Sequence, residues 1–262
     1  MLLALNIGNS RISVGIFDSN GTISLKFKIS TDIKKTSDEY CTLIRSIIKE
    51  QGITTDKIDA SIISSVVPQL TSTLTESVKK ITETTPLVVG PGVKTGFSIK
   101  IDSPAELGSD IVANAAAVIQ ESKKEKKPSI IVDMNTVTTV SAINENGEYI
   151  GCCIFPGVQM SFDSMRINTA MLPNVTTYAP KRAVGKNSQD SVRSGVLYGN
   201  AIMLDGFIYR FAKEMKCKHD EMCLIITGEY AKCILDLCSH KFVFDEDLTL
   251  KGLYCIYLNN IQ

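Results

Sequence analysis

Residues 2–27, LLALNIGNSRISVGIFDSNGTISLKF, have a counterpart later in the chain at residues 130–155, IIVDMNTVTTVSAINENGEYIGCCIF. Each stretch has an apolar strand containing Asn or Asp near its end, a short polar turn, a second strand, an Asn-Gly hairpin and a third strand. The spacing also agrees, with fourteen positions from Asn6 to Asn20 and thirteen from Asp133 to Asn146. We interpret the two stretches as an internal duplication.

Helices and further strands are predicted after each copy. Thr36 and Glu39 form a capping box that opens a helix ending at Gly52. The periodicity then predicts, after the first copy, a buried strand at 60–68, a helix at about 69–82 and a strand at 86–90, and after the second copy helices at about 157–171 and 189–215, the strand CLIITG, a short helix, the strand KFVF and a terminal helix. This order predicts an α/β protein of two similar halves, 1–115 and 116–262, each with a sheet covered by helices.

The first hairpin has the sequence Gly8-Asn9-Ser10 at its turn. Such a turn can hold a phosphate group against backbone N–H groups. Two hairpins of this kind, facing each other across a cleft, would hold the phosphates and the metal of a nucleotide. An acidic residue would be expected beside the turn to bind Mg²⁺, but Asn6 stands there. A duplicated scaffold that binds another ligand at this place is the alternative.

Charge and hydropathy exclude several classes of partner. Lys and Arg number 28, as do Asp and Glu, so the balance indicates neither a nucleic-acid nor a membrane partner. We interpret the one basic run, KKEKKP at 123–128, as a solvated loop. No apolar run reaches the roughly 18 residues needed to span a bilayer, and the N-terminal sequence lacks the features of a secretory signal. We therefore expect a cytoplasmic protein.

An ordered set of motifs resembles the type III pantothenate kinases along nearly the whole chain. The motifs are LNIGNS at 5–10, VVGPGVKTG at 88–96, GSD at 108–110, VDMNTVTT at 132–139, FPG at 155–157, GKNS at 185–188, SGVLYG at 194–199, ITGEYA at 226–231 and LTLKGL at 248–253. The resemblance implies two ribonuclease-H-like halves of the acetate-kinase, sugar-kinase and actin superfamily, each a mixed five-stranded sheet flanked by helices. It also implies a homodimer that phosphorylates pantothenate to 4′-phosphopantothenate in the first step of coenzyme A biosynthesis. The cofactors so implied are ATP, Mg²⁺ and a monovalent cation, K⁺ or NH₄⁺.

The resemblance also implies roles for individual residues. Asp110 matches the family's catalytic base, although it could equally be a surface acid on a helix. Asp133 matches the residue that binds the monovalent cation. The implied ATP-binding residues are Asn6, Ile7, Gly8, Asn9, Ser10, Arg11, Ile12, Ser13 and Thr136. The implied pantothenate-binding residues are Ile101, Gly108, Ser109, Asp110, Ile111 and Ser188, the last of which would reach the substrate of the partner subunit.

Several motif positions depart from the family. Asn6 replaces an aspartate, Ile111 an arginine, Ile101 a tyrosine, and Asn135 and Glu229 replace glycines. Losing the charge-assisted bond of the arginine costs roughly 1.5 to 3 kcal/mol of substrate binding. Two hypotheses follow from these departures: a pantothenate kinase weakened by its substituted residues, or a catalytically inactive paralogue that senses a ligand or pairs with a different subunit.

Overall fold

The computed structural model describes residues 1–122 and 127–261, so most of the basic run, residues 123–126, lies outside the described residues. The elements of the first copy are β1 (Leu2–Ile7), β2 (Arg11–Phe17), β3 (Ile23–Ser30), α1 (Ser37–Glu50), β4 (Ala60–Ser65), α2 (Pro68–Thr82), β5 (Leu87–Val88) and α3 (Ser109–Ser122). Those of the second copy are β6 (Ser129–Met134), β7 (Val137–Ile143), β8 (Tyr149–Pro156), α4 (Val158–Asn168), α5 (Ser188–Glu214), β9 (Cys223–Thr227), α6 (Ala231–Ile234) and β10 (Val243–Phe244), and helix α7 (Leu248–Ile261) follows them.

Two five-stranded mixed sheets have the same topology. The first has the strand order β3-β2-β1-β4-β5 and the second the order β8-β7-β6-β9-β10. In each sheet the first three strands of the copy are antiparallel, while the first and fourth are parallel. The predicted fold class, two similar halves with helix-flanked five-stranded sheets, is confirmed.

Strand β1 is buried on both faces of the first sheet. Leu3, Leu5 and Ile7 pack into a core that includes residues of helices α1 and α2. Leu2 and Ala4 point to the opposite face, into a second core with residues of α3 and α7. This alternation follows from the two-residue period of a strand, and it explains why β1 reads as a continuous apolar run.

Helix α7 belongs to the first compact unit, although it follows the second copy in sequence. This unit contains Met1–Ser98, Asp102–Glu121 and α7, and the second contains Ile99–Ile101 and the described residues of Ser122–Glu246. The sequence-based division at residue 115 falls inside α3. The packing of α7 depends on Gly252, where an added Cβ would lie within 1.7 Å of the Ala113 carbonyl oxygen. Only glycine allows so close an approach between α7 and α3.

The core of the second unit lies between its sheet and helix α5. Ile130, Val132 and Met134 on β6 contribute to it, together with Leu197 and Leu204 on α5. Asn187 caps α5, since its Oδ1 accepts a hydrogen bond of 2.8 Å from the Asp190 N–H. None of the helices in the part of the chain described here is long and apolar enough to cross a membrane.

Candidate functional site

The turn between β1 and β2 is held in a tight conformation. The Gly8 N–H donates to the Arg11 carbonyl at 3.0 Å, and an added Cβ at Gly8 would lie 3.0 Å from the same oxygen. Thr31 fixes the turn from the end of β3, because its hydroxyl donates to the Gly8 carbonyl at 2.6 Å and its N–H to the Ser10 carbonyl at 3.1 Å. Asn9 and Ser10 are left exposed at the tip.

The eight predicted ATP-binding residues at 6–13 have different environments. The side chains of Ile7 and Ile12 are completely buried in the hydrophobic core, so these two residues can offer a ligand only their backbone. Asn9, Ser10 and Arg11 are exposed, and Gly8 and Ser13 are half-buried.

Asn6 has a buried oxygen that no described group satisfies. The residue is paired with Ser13 on β2 and with Ser64 on β4. Its Oδ1 atom is inaccessible to solvent and has no hydrogen-bond partner among the described residues. A buried acceptor left in this state costs about 1 to 3 kcal/mol. Hard cations bind amide oxygens as well as carboxylate oxygens. Asn6 therefore suits a position beside Mg²⁺, although its neutral amide lacks the negative charge of an aspartate.

Ser109 attaches the start of helix α3 to the end of β4. Its hydroxyl oxygen accepts hydrogen bonds of 2.9 Å from the Ser64 hydroxyl and the Ser65 N–H, and its own hydroxyl donates to the Ser65 carbonyl at 2.9 Å. Ile7 at the end of β1 is paired in parallel with Ser65. The start of α3, and with it Asp110, therefore lies at the same edge of the sheet as the turn at 8–10.

Asp110 is a partly buried carboxylate in the first turn of α3. Its Oδ1 accepts a hydrogen bond of 2.8 Å from the Ile111 N–H. Burial raises the pKa of Asp110 above its ordinary value, and this hydrogen bond opposes the shift. An acid on a solvated helix face would not be desolvated in this way. A carboxylate with a raised pKa is a better proton acceptor than an exposed one.

The predicted substrate-binding residues divide between the two units. Gly108, Ser109, Asp110 and Ile111 are consecutive at the start of α3, where the side chain of Ile111 is only 7% exposed. Ile101 belongs to the short segment 99–101 of the second unit, in which the Lys100 N–H donates to the Tyr149 carbonyl at 2.8 Å. Ser188, also in the second unit, is exposed at the first position of α5.

Asp133, near the end of β6, accepts a hydrogen bond from Asn135. The Asn135 Nδ2 donates to Asp133 Oδ1 at 2.6 Å, and the Asn135 Oδ1 accepts from the Glu229 N–H at 3.2 Å. Asp133 is 6% exposed, while Asn135 is exposed. At Asp133, the position predicted for the monovalent cation, an N–H donor of Asn135 thus contacts the Oδ1 atom. The sequence identified Asn135 as a departure from the family but gave no sign of these contacts.

The turn that follows β6 is enclosed by two glycines. An added Cβ at Gly157 would lie 2.4 Å from the Thr136 carbonyl oxygen, and one at Gly228 would lie 2.5 Å from the Met134 backbone nitrogen. Gly228 also has a φ of +100°, a conformation that side chains disfavour. The motifs FPG and ITG therefore bring backbone against the turn that contains Thr136, the second predicted phosphate-binding segment.

The second unit also contains a cavity that the sequence did not predict. It has a volume of about 830 Å³ and lies between helices α4 and α5 and the segment before α5. Met165, Leu172 and Met203 supply apolar lining, while Ser188 and Asn200 supply polar lining. The Asn200 Oδ1 is buried and has no hydrogen-bond partner among the described residues.

The duplicated sheets, with polar turns after their first strands, define an α/β protein of two similar halves, a fold that solved structures share. A Baf family protein from Campylobacter jejuni has a similar structure, with a TM-score of 0.62 and 17% identity over 99% of this chain and 98% of that one. A structure described as an N-acetylglucosamine kinase of Porphyromonas gingivalis matches with a TM-score of 0.53 and 12% identity over 100% of both chains. At these identities the likeness establishes the fold alone.

Sequence relatives identify the family to which the chain belongs. Residues 2–210 match the family model described as type III pantothenate kinase. The type III pantothenate kinase of Halalkalibacterium halodurans is 37% identical over 262 residues, which cover 100% of each chain. The chain belongs to the type III pantothenate kinase family, a family of phosphotransferases.

Proposed function

We propose that this protein transfers the γ-phosphoryl group of ATP to a hydroxyl group of pantothenate, giving 4′-phosphopantothenate in the first step of coenzyme A biosynthesis. The observation that carries the proposal is the full-length match to a type III pantothenate kinase, which includes the GSD segment at the start of α3. Asp110 in that segment is a half-buried carboxylate with a raised pKa.

Asp110 is proposed to act as the general base. Its Oδ1 is held by the Ile111 N–H, so we assign proton acceptance from the substrate hydroxyl to the other oxygen, Oδ2. The raised pKa brings the carboxylate closer to the working pH and strengthens it as a proton acceptor. Ser109 positions this carboxylate by attaching the helix start to β4. Gly108 and Ile111 would line the substrate site beside it.

The ATP phosphates are proposed to lie against the turn at residues 6–13 and against Thr136. The exposed N–H groups and hydroxyls of a tight turn are suited to phosphate oxygens. Mg²⁺, when bound, would offset negative charge on the transferring group. Asn6 would supply it with the amide oxygen that has no partner among the described residues.

A homodimer along helix α5 is part of the proposal. An added Cβ at Gly195, Gly199 or Gly206 would meet no described atom within 4 Å, so packing within the described chain does not account for these glycines. The same helix exposes 68% of Ile202 and 54% of Tyr209. Exposed apolar residues beside glycines suit the close approach of a second helix. Ser188 at the start of α5 would then reach the substrate of the partner, where Ile101 is also expected.

The proposal is tested by measuring ADP release from ATP in the presence of pantothenate, Mg²⁺ and K⁺ or NH₄⁺. Asp110→Asn should lower pantothenate-dependent release by about 10²- to 10⁴-fold. Asp102→Asn is the matched control, because Asp102 is an exposed acid a few residues earlier in the chain. Pantothenate-dependent ADP release that survives Asp110→Asn unchanged would reject Asp110 as the base.

The inactive paralogue is the second candidate function. The observation that favours it is Glu229, which brings an exposed carboxylate to a position next to the close contact at Gly228. A carboxylate there would repel the phosphates of ATP. Calorimetry combined with the ADP assay distinguishes the two functions, since a paralogue of this kind would bind a ligand such as pantothenate without any release of ADP.

A further inference from the structure

Asn135 uses both ends of its side-chain amide to join the turns after β6 and β9. The Nδ2 group donates to the Asp133 carboxylate at 2.6 Å, and the Oδ1 atom accepts from the Glu229 N–H at 3.2 Å. Only this orientation of the amide satisfies both neighbours, because a carboxylate needs a donor and an N–H needs an acceptor. The Tyr230 N–H reinforces the contact by donating to the Met134 carbonyl at 3.1 Å.

Asp133 is a buried carboxylate, and such a group requires a compensating partner. It is 6% exposed and lies on β6, the central strand of the sheet, where it is paired with Thr139 on β7 and Thr227 on β9. A buried charge is stabilised by an opposite charge or by strong hydrogen bonds. A monovalent cation would meet this need at a site with glycine at position 135. In this protein the Nδ2 group of Asn135 donates a hydrogen bond to Asp133 Oδ1.

We propose that the side-chain amide of Asn135 takes the place of the monovalent cation at Asp133, so that this protein does not bind K⁺ or NH₄⁺ there. The inference rests on the proposed function only for the expectation that a cation would otherwise contact Asp133. It makes Asn135 a positioning residue, which holds Asp133 and the backbone of Glu229 in a fixed relation without an ion.

The test is the thermal unfolding of the full-length protein in potassium chloride, ammonium chloride and choline chloride at equal ionic strength. The wild-type protein should have the same Tm in all three salts. Asn135→Gly and Asn135→Ala remove the amide, and each should gain a Tm increase of about 2 to 4 °C in K⁺ or NH₄⁺ over choline. The added substitution Asp133→Asn in the Asn135→Gly background should remove this gain.

The matched control is Asn144→Ala. Asn144 also donates from its amide to a carboxylate of the second unit, Glu148 Oε2 at 2.9 Å, but it lies in the β7–β8 hairpin. This variant should show no cation-dependent change in Tm. A general effect of losing an amide–carboxylate bond would appear in it as well, and that result would overturn the proposal.

Two further outcomes would overturn the proposal: a cation-dependent rise in the wild-type Tm equal to that of the variants, or no cation response in any variant. If neither variant folds, NMR of the wild-type protein decides. The side-chain amide resonances of Asn135 should not move when choline is replaced by K⁺, and a saturable shift would contradict the inference. Neither measurement depends on turnover, so a failure of the kinase proposal would be recognised separately in the ADP assay.

Discussion

Ser109→Ala should destabilise the first unit more than the loss of one hydroxyl normally does. The substitution removes three hydrogen bonds of 2.9 Å, two accepted from Ser64 and Ser65 and one donated to the Ser65 carbonyl. Each is worth about 1 kcal/mol net, and the surroundings are buried, so we expect a loss of about 3 kcal/mol. For a protein of this size that corresponds to a decrease in Tm of about 6 to 12 °C.

Urea unfolding followed by circular dichroism measures the change in the free energy of unfolding. Ser161→Ala is the matched control, because that hydroxyl makes one hydrogen bond of 3.0 Å, to the Gly157 carbonyl, and should cost no more than about 1 kcal/mol. Since Ser109 precedes the proposed base, kcat should also fall, by about 10- to 100-fold. Equal destabilisation by the two substitutions would refute the role given to Ser109.

Three other substitutions test different parts of the molecule. Asp110→Asn should lower kcat/KM by about 10²- to 10⁴-fold. The same substitution should raise Tm at neutral pH, because the raised pKa of Asp110 means that its ionised form destabilises the folded state. This gain in Tm should vanish below about pH 4, where Asp110 is protonated in both the folded and the unfolded state. A gain that persists at that pH would contradict the desolvation argument. Asn6→Asp should lower Tm without Mg²⁺ and recover it when Mg²⁺ and ATP are added, as measured by thermal unfolding; a Tm independent of Mg²⁺ would speak against a metal at this position. Gly228→Ala should lower the free energy of unfolding by about 1 to 3 kcal/mol more than Gly92→Ala does. Both glycines have a positive φ, but of these two only Gly228 would place its added Cβ against backbone atoms, those of Met134. Equal losses in urea unfolding would show that the clash is relieved.

The order of strands and helices could be predicted from the sequence because its signals are local. The Asn-Gly turns after β2 and β7 define hairpins, and the apolar periodicity of each segment distinguishes strand from helix. Which sheet a helix covers could not be predicted in the same way. Helix α7 packs with the first unit because Gly252 permits contact with the backbone of Ala113, and nothing within α7 indicates which sheet it covers.

The candidate site was predictable to the extent that it depends on motifs. The GSD segment indicated Asp110, but the hydrogen bonds of Ser109 join residues 44 and 45 positions apart and have no pattern in the sequence. Asn135 was recognisable as a substitution, whereas its bond to the Glu229 N–H spans 94 positions. The positions predicted for ATP and pantothenate stay predictions until a ligand is bound.

The position of α7 determines when the first unit can become complete. Leu2 and Ala4 on β1 share a core with Leu250, Leu253 and Ile256 of this helix, which the ribosome makes after every other described element. Helix α3 contributes to the same core and is made earlier, but the part of this face that α7 covers stays exposed until synthesis has passed through the other unit. A nascent chain with exposed apolar surface is prone to aggregation, so we expect chaperones to bind it during synthesis.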